Sequence, residues 1–283
     1  MRPRNLVSPL MQELSGYIAA ARRRALPTPV AEKTKHHVLD TLAAMVSGAK
    51  LLPGGKAIAY AKTLGGVREA TVVGTKLMTS AVNAAFANAM LAHADETDDS
   101  HAPSLTHPGC SIVSAALALA ERSGRGGPAL LRAVALGYDI SARVSLSLQS
   151  GAFRSVGHST HSIGPTFGAT AAAAALAGLN PNQVRHALSY AAQQAGGLSC
   201  YARDPEHIEK AFVFGGMPAR NGVAAATMVA AGFSAVEDVF SGERNFFVKF
   251  DESGRIGAAP RPERLLRDLG KTYEIMNTNI KRW

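Results

Sequence analysis

Alanine-rich segments in which apolar residues return every third or fourth position recur along this chain, punctuated by Pro before and Gly or Asn between them. Alanine is the strongest helix former, and few aromatic or β-branched clusters interrupt the pattern, so the sequence predicts helices almost throughout. The expected spans are 10–23, 29–47, 54–64, 80–91, 108–122, 127–148, 165–176, 181–195 and 217–231. Pro29 opens the second of these, Val38, Leu39, Leu42, Ala43 and Val46 follow at helical spacing, and Gly48 stops it. Residues 70–74 are the only strand-like run in the first half, expected as a small hairpin or an edge. The expected class is mostly α, and 283 residues suffice to bury a large core.

Several function classes are excluded. The longest apolar stretches, such as 171–177, fall well short of the ~20 residues a membrane span needs. Cys110 and Cys200, with no CxxC spacing, argue against a disulfide scaffold or an iron–sulfur cluster and for a reducing, cytoplasmic setting. The net charge of +9 is spread along the chain. Its one tight run, Arg22-Arg23-Arg24, closes the first helix, and no nucleic-acid motif follows it, so no nucleic-acid partner is expected. A basic balance equally suits a polycarboxylate ligand.

Against this apolar background, residues 93–109 place four carboxylates and three imidazoles within seventeen positions. So dense a polar segment between two alanine-rich helices predicts a buried or half-buried site rather than a solvated face. The other polar insertions, 151–162 and 198–210, also join helices, where ligand-handling residues concentrate. Asp95, Asp98, Asp99, His101 and His107 offer ligands for Zn²⁺ or Mn²⁺, but without HExxH or a comparable spacing no metal is assigned. Gly126-Gly127 and Gly215-Gly216 lack the context of a nucleotide motif, and no cofactor is expected. Asp98 and Asp99 have a plainer alternative, capping a turn ahead of Pro103 or pairing with Arg, and Glu96 and Lys210 have one as solvated side chains.

Several stretches together resemble the MmgE/PrpD family, which includes 2-methylcitrate dehydratase, cis-aconitate decarboxylase and iminodisuccinate epimerase. Val38 to Leu42 with Ser47-Gly48 is similar to the family's second-helix signature. Residues 93–109 resemble its His-Ala-Leu-Asp-Phe-Asp-Asp-Thr-His segment ending in His-Pro-Gly. Gly137-Tyr138-Asp139 with Arg143, Gly157-His158-Ser159-Thr160 with Gly164, Lys210 with Gly215, and Ala231-Gly232-Phe233 follow in order.

The resemblance implies a large all-helical domain, here 1–270, and 271–283 as the first residues of a C-terminal α/β domain that is largely missing. It implies a metal-independent lyase, dehydrating or hydrating a small di- or tricarboxylate such as 2-methylcitrate, with decarboxylation or epimerisation as alternatives. A homodimer is implied too. Position by position, the family's catalytic Asp falls on Glu96, its later Asp pair on Asp98 and Asp99, its Thr on Ser100, and its His before Pro on His107. The His of its Gly-x-His segment is matched to His158, and its two substrate-contacting lysines to Lys210 and Lys281. Val213 stands where a His is often found. His107 and His158 are thus the expected acid–base pair, with Glu96 beside them and Asp99, Ser100, Lys210 and Lys281 on the substrate. His36, His37, His161, His186 and His207 are expected to be structural or exposed. The non-enzymatic alternative is a helical dimerisation module that lacks its second domain.

Overall fold

The structure, a computed structural model, describes residues 7–251 and 258–281, the side chains of residues 249 and 251 excepted. Helices α1 (Pro9–Ala20), α2 (Thr28–Gly48) and α3 (Leu52–Leu64) precede a two-stranded antiparallel ribbon, β1 (Ala70–Thr71) and β2 (Met78–Thr79), in which Ala70 pairs with Thr79. There follow α4 (Ala81–Ala92), α5 (Pro108–Arg122), α6 (Gly127–Ser147), α7 (Ser150–Ser155), α8 (Thr160–Ala177) and α9 (Pro181–Gln194). The short α10 (Ile208–Ala211) runs through a π-helical turn at Phe212–Gly216 into α11 (Met217–Ala230), and α12 (Phe246–Asp251) follows. The chain is mostly α, as the alanine pattern predicts.

Local chemistry sets the helix starts. Ser8 Oγ accepts from Met11 N at 3.2 Å and Ser80 Oγ from Asn83 N at 3.3 Å. Asn180 and Gln183 form a reciprocal capping box at 3.0 Å in each direction. Each satisfies amide donors that a helix start would otherwise leave unpaired.

Helix α8 is the axis of the molecule, packed on α5, α6, α9 and α11. Its residues from Thr160 to Leu176 are all buried, and a helix apolar all round belongs inside a core. Small residues let the neighbouring backbones close in: a Cβ on Gly168 would stand 2.5 Å from the Gly137 carbonyl oxygen of α6 and 2.7 Å from Ser141 Cβ. The predicted start at Pro165 lies five residues too late. Pro165 sits inside the helix, where it lacks only the N–H that would reach the His161 carbonyl, and surrounding packing on every side outweighs that loss.

By its sequence the terminal stretch from Tyr273 to Trp283 reads as the start of a strand, but the described residues 271–281 are not one. They make a 3₁₀ turn at Glu274–Asn277 and then pair with the polar segment, Ser100 and Asn279 exchanging N–H···O bonds of 2.9 Å. The turn is docked on the helical body: Ile275 is fully buried, Glu274 N donates to Asp139 Oδ1 at 3.3 Å, and His101 Nε2 lies 3.2 Å from Glu274 Oε2. Residues 282–283 lie outside the described residues. No described helix is long and apolar enough to cross a membrane.

Two outcomes follow from this packing. Gly168→Ala drives a methyl into a backbone oxygen and is expected to cost ~1–3 kcal/mol, read as a fall in Tm by circular dichroism; an unchanged Tm would show that the α6–α8 crossing is not tight. Hydrogen bonding from His101 holds the Glu274 carboxyl down to about 2. Because that lies below its unfolded value of ~4.3, the stabilisation is full above that pH and drains away as pH falls towards the folded value. The acid limb of the wild-type Tm profile should therefore flatten in Glu274→Gln, and an identical profile would remove this contact from the account.

Candidate active site

The polar segment leaves α4 at His93 and re-enters helix at Pro108, so His93 and His107 face each other across its two ends, ring centroids 5.3 Å apart. Beneath them lies the ring of Phe214. His161, on the first turn of α8, stacks on it at 3.7 Å and 14°, and His93 stacks on it at 4.3 Å and 22°. His107 tilts over the same ring at 5.4 Å, and Tyr201 meets it edge-on at 4.9 Å. Phe214 is placed by the π turn, whose Gly215 and Gly216 pass so close to α4 that a Cβ on Gly216 would come within 2.7 Å of Met90 Cγ. Such turns insert an extra residue in a helix and recur at functional sites.

Asp98, fully buried, joins the imidazoles. Both its oxygens lie 3.0 Å from His93 Nδ1, and Oδ1 lies 3.4 Å from His107 Nδ1. Burial alone pushes this carboxyl up, but the charge and hydrogen bonding of His93 and His107 outweigh it and hold Asp98 far below the usual carboxylate range. Desolvation drives the two most enclosed imidazoles, His93 and His161, in the neutral direction, His161 strongly. The site thus contains a fixed buried anion, two imidazoles whose charged form burial disfavours, and His107, whose side chain is 15% exposed and stands at the cluster's open side.

The lysines approach from two distant segments and meet at Glu96. Lys210 Nζ pairs with Glu96 Oε1 and lies 5.5 Å above the Phe214 ring, while Lys281 Nζ donates to the Glu96 carbonyl at 2.5 Å. Burial raises the Glu96 carboxyl, but Lys210 brings it below its ordinary value. Glu96 has φ of 58° and His207, opposite it, 60°, a left-handed conformation that residues other than Gly adopt at a cost. His207 Nε2 donates to the His93 carbonyl at 3.0 Å, and its ring stacks on His93 at 5.3 Å.

Of the residues singled out from sequence, His107, Glu96, Lys210 and Lys281 are gathered around this cluster. Asp99 points the other way: Oδ2 accepts from His37 Nδ1 and Tyr138 Oη, each at 2.6 Å, and Oδ1 from Gly109 N at 2.9 Å, all buried. Its acceptors are spent inside the core, on neither a turn cap nor an arginine. Ser100 is held by its backbone pairing with Asn279. His158 stands apart, stacked on Phe153 at 4.4 Å and edge-on to Phe250 at 5.4 Å, with burial lowering its pKa.

His161 and His207, expected to be structural or exposed, belong to the cluster instead. The signal for His161 was present: His161, Gly164 and Gly168 share one helical stripe, and Gly164 and Gly168 are where α8 meets α6. Taking Pro165 as the helix start hid it. His37 is structural as expected, and Phe214 carried no signal, because a π turn has no composition of its own.

Among the described residues two sets of three donors could receive a metal ion: His93, Asp98 and Cys110, and His93, Glu96 and His207, the donor atoms of each lying within 4.8 Å of one another. Their chemistry is that of zinc ligands. Burial raises the Cys110 thiol well above its ordinary pKa, however, and the Lys210 ammonium already occupies Glu96, so a cation would meet a protonated donor in one set and a like charge in the other. The five residues weighed from sequence do not meet at one point: Asp95 bonds Thr97, His101 bonds Ser104 and Glu274, and Asp99 faces the core.

The profile of the MmgE/PrpD N-terminal domain matches residues 12–256. The chain is 28% identical, over 95% of its length, to a cis-aconitate decarboxylase-like protein oryM of Aspergillus oryzae, of which it covers 57%. To a cis-aconitate decarboxylase of Aspergillus terreus it is 24% identical over 98% of its length, covering 57% of that protein. The chain spans little more than half the length of these curated relatives.

The buried bonds of Asp99 generate a stability outcome. Asp99→Ala strands two side-chain donors and an amide in the core and is expected to cost ~3–5 kcal/mol. Denaturant unfolding measures it, and a loss below ~1 kcal/mol would show that Asp99 does not hold the segment in place.

Proposed function

The chain belongs to the MmgE/PrpD family, and from that membership we propose that it carries the proton-transfer site of a lyase acting on a small di- or tricarboxylate. The observation that carries the reading is the meeting of His107, backed by the buried Asp98 carboxylate, with His161, Lys210 and Lys281 from segments far apart in sequence. Lysine ammonium groups are suited to substrate carboxylates, and an arriving carboxylate competes with Glu96 for Lys210. With Asp98 on Nδ1, His107 exchanges its proton through Nε2. His161 replaces His158 in the assignment, because it is His161 that shares the Phe214 surface with His107.

The reaction favoured is decarboxylation of a cis-aconitate-type substrate, in keeping with the names of the relatives. The bond between carbon and one carboxylate breaks, carbon dioxide departs, and the remaining electron pair is delocalised towards a neighbouring carboxylate held by the ammonium groups. Protonated His107 then delivers a proton to carbon. Dehydration is the second reading, favoured by the pairing of His107 and His161 at 5.4 Å. One imidazole removes the proton next to a carboxylate, and the other protonates the departing hydroxyl. Ser100 and Asp99 serve either reaction by fixing the segment rather than by touching substrate. The homodimer and a cytoplasmic location are carried over from the same family and composition reasoning.

Turnover of cis-aconitate with release of carbon dioxide, against absorbance gained from 2-methylcitrate or citrate without it, separates the two reactions. Activity towards none of these would contradict the lyase reading. His107→Ala and His161→Ala should each lower kcat ~10²-fold or more, the scale of a lost acid or base. Lys210→Ala should act chiefly by raising KM, and His158→Ala should cost less than ~10-fold. The reverse order for the two histidines, with His158 essential and His161 dispensable, would return the role to His158.

A further inference from the structure

The arginine run that closes the first helix is not used by the site above. It forms one wall of a cavity of about 230 Å³ lined by Arg22, Arg23, Arg125 and Arg132 over a floor that includes Ala175 and Leu176. This is the opposite end of α8 from His161, ~22 Å away along the helix at 1.5 Å per residue. The four guanidinium groups come from the turn after α1, the connection between α5 and α6, and the first turns of α6.

Among the described residues no carboxylate forms an ion pair with them. The ion pairs of the described lysines and arginines involve other cations. Part of the charge is met by the carbonyl end of α8, where Arg125 Nε donates to the Leu176 oxygen at 3.2 Å. That helix end is worth only ~0.5 of a negative charge against four arginines, of which Arg22 and Arg132 are half-buried and Arg23 and Arg125 exposed at the rim. Arg132 Nε is shielded from solvent and has no acceptor among the described residues. Water screens the exposed Arg23 and Arg125, but the shielded Arg132 donor is unfavourable until an anion completes it.

We propose that this arginine pocket binds the phosphate end of a small phosphorylated molecule, at a site separate from the candidate active site. Guanidinium forks match phosphate oxygens two at a time, and several of them call for a multivalent anion rather than one carboxylate. The cavity exceeds the ~30 Å³ share of a single water several-fold, room for a di- or triphosphate group but not for a nucleic-acid duplex. Ala129, Ala133, Ala175 and Leu176 supply an apolar surface for the organic portion next to it.

Calorimetric titration with sodium tripolyphosphate, at about 0.1 M KCl to suppress unspecific attraction, tests the pocket directly. Wild-type protein should bind one equivalent, and the double variant Arg22→Gln/Arg132→Gln should bind at least ~10-fold more weakly. Arg23→Gln/Arg125→Gln serves if the first pair fails to fold by circular dichroism. Co-sedimentation with phosphatidic acid vesicles, lost in the same variant, would assign the phosphate to a lipid headgroup; tripolyphosphate binding without co-sedimentation assigns it to a soluble molecule. Absence of binding, or equal binding by wild type and variant, overturns the proposal. So does a variant that changes the oligomer's mass while tripolyphosphate affinity stays the same.

Discussion

Two adjacent carboxylates facing opposite ways are what the arrangement of this molecule rests on. Asp99 turns into the core, where the His37 ring, the Tyr138 hydroxyl and the Gly109 amide fix it to α2, α6 and the start of α5. With that anchor in place, Asp98 on the next residue can face only the other side, between His93 and His107. One buried anion therefore holds the polar segment in position, and the other sets the charge of the imidazole cluster. Carboxylates removed from water are tolerated only when fully bonded, and each of these is bonded on both oxygens or between two imidazoles.

The rest of the site is supplied at the ends of rigid elements. α8 contributes His161 from its first turn, the π turn before α11 contributes Phe214, and α10 contributes Lys210. The docked residues 271–281 bring Lys281 to the Glu96 carbonyl. Small residues make this convergence geometrically feasible, since α6 and α8 approach at Gly137 and Gly168, and the π turn approaches α4 at Gly215 and Gly216. Phe214 offers an apolar surface that lowers the local dielectric around the imidazoles, and desolvation accordingly shifts His93 and His161 towards the neutral form.

Much of the fold was legible in the sequence because alanine periodicity and capping residues act locally. α5 has the predicted bounds, and most of the other helices lie within a residue or two of theirs. Legibility failed where tertiary packing overrode a local rule. Pro165 reads as a helix start, yet burial on all sides carries α8 back to Thr160. Residues 273–281 read as extended, yet they turn at Glu274 because His101 and Asp139 hold that turn. The polar segment is largely buried, as its density of ionisable groups between alanine-rich helices predicts, but which way each side chain points was beyond reach: Asp98 and Asp99 are indistinguishable in one dimension and opposite in three. The same limit separated His158 from His161, three residues apart and on different surfaces.

On the proposed reading His107, backed by Asp98 and with Lys210 and Lys281 meeting at Glu96, moves a proton at a carbon beside a carboxylate. The most direct measurement is proton NMR of cis-aconitate and citrate incubated with the protein in deuterated water. Deuterium should appear at one carbon position in the product or recovered substrate with wild type, and be lost when His107 is replaced by Gln. Deuterium incorporation that is unchanged in His107→Gln would contradict that reading.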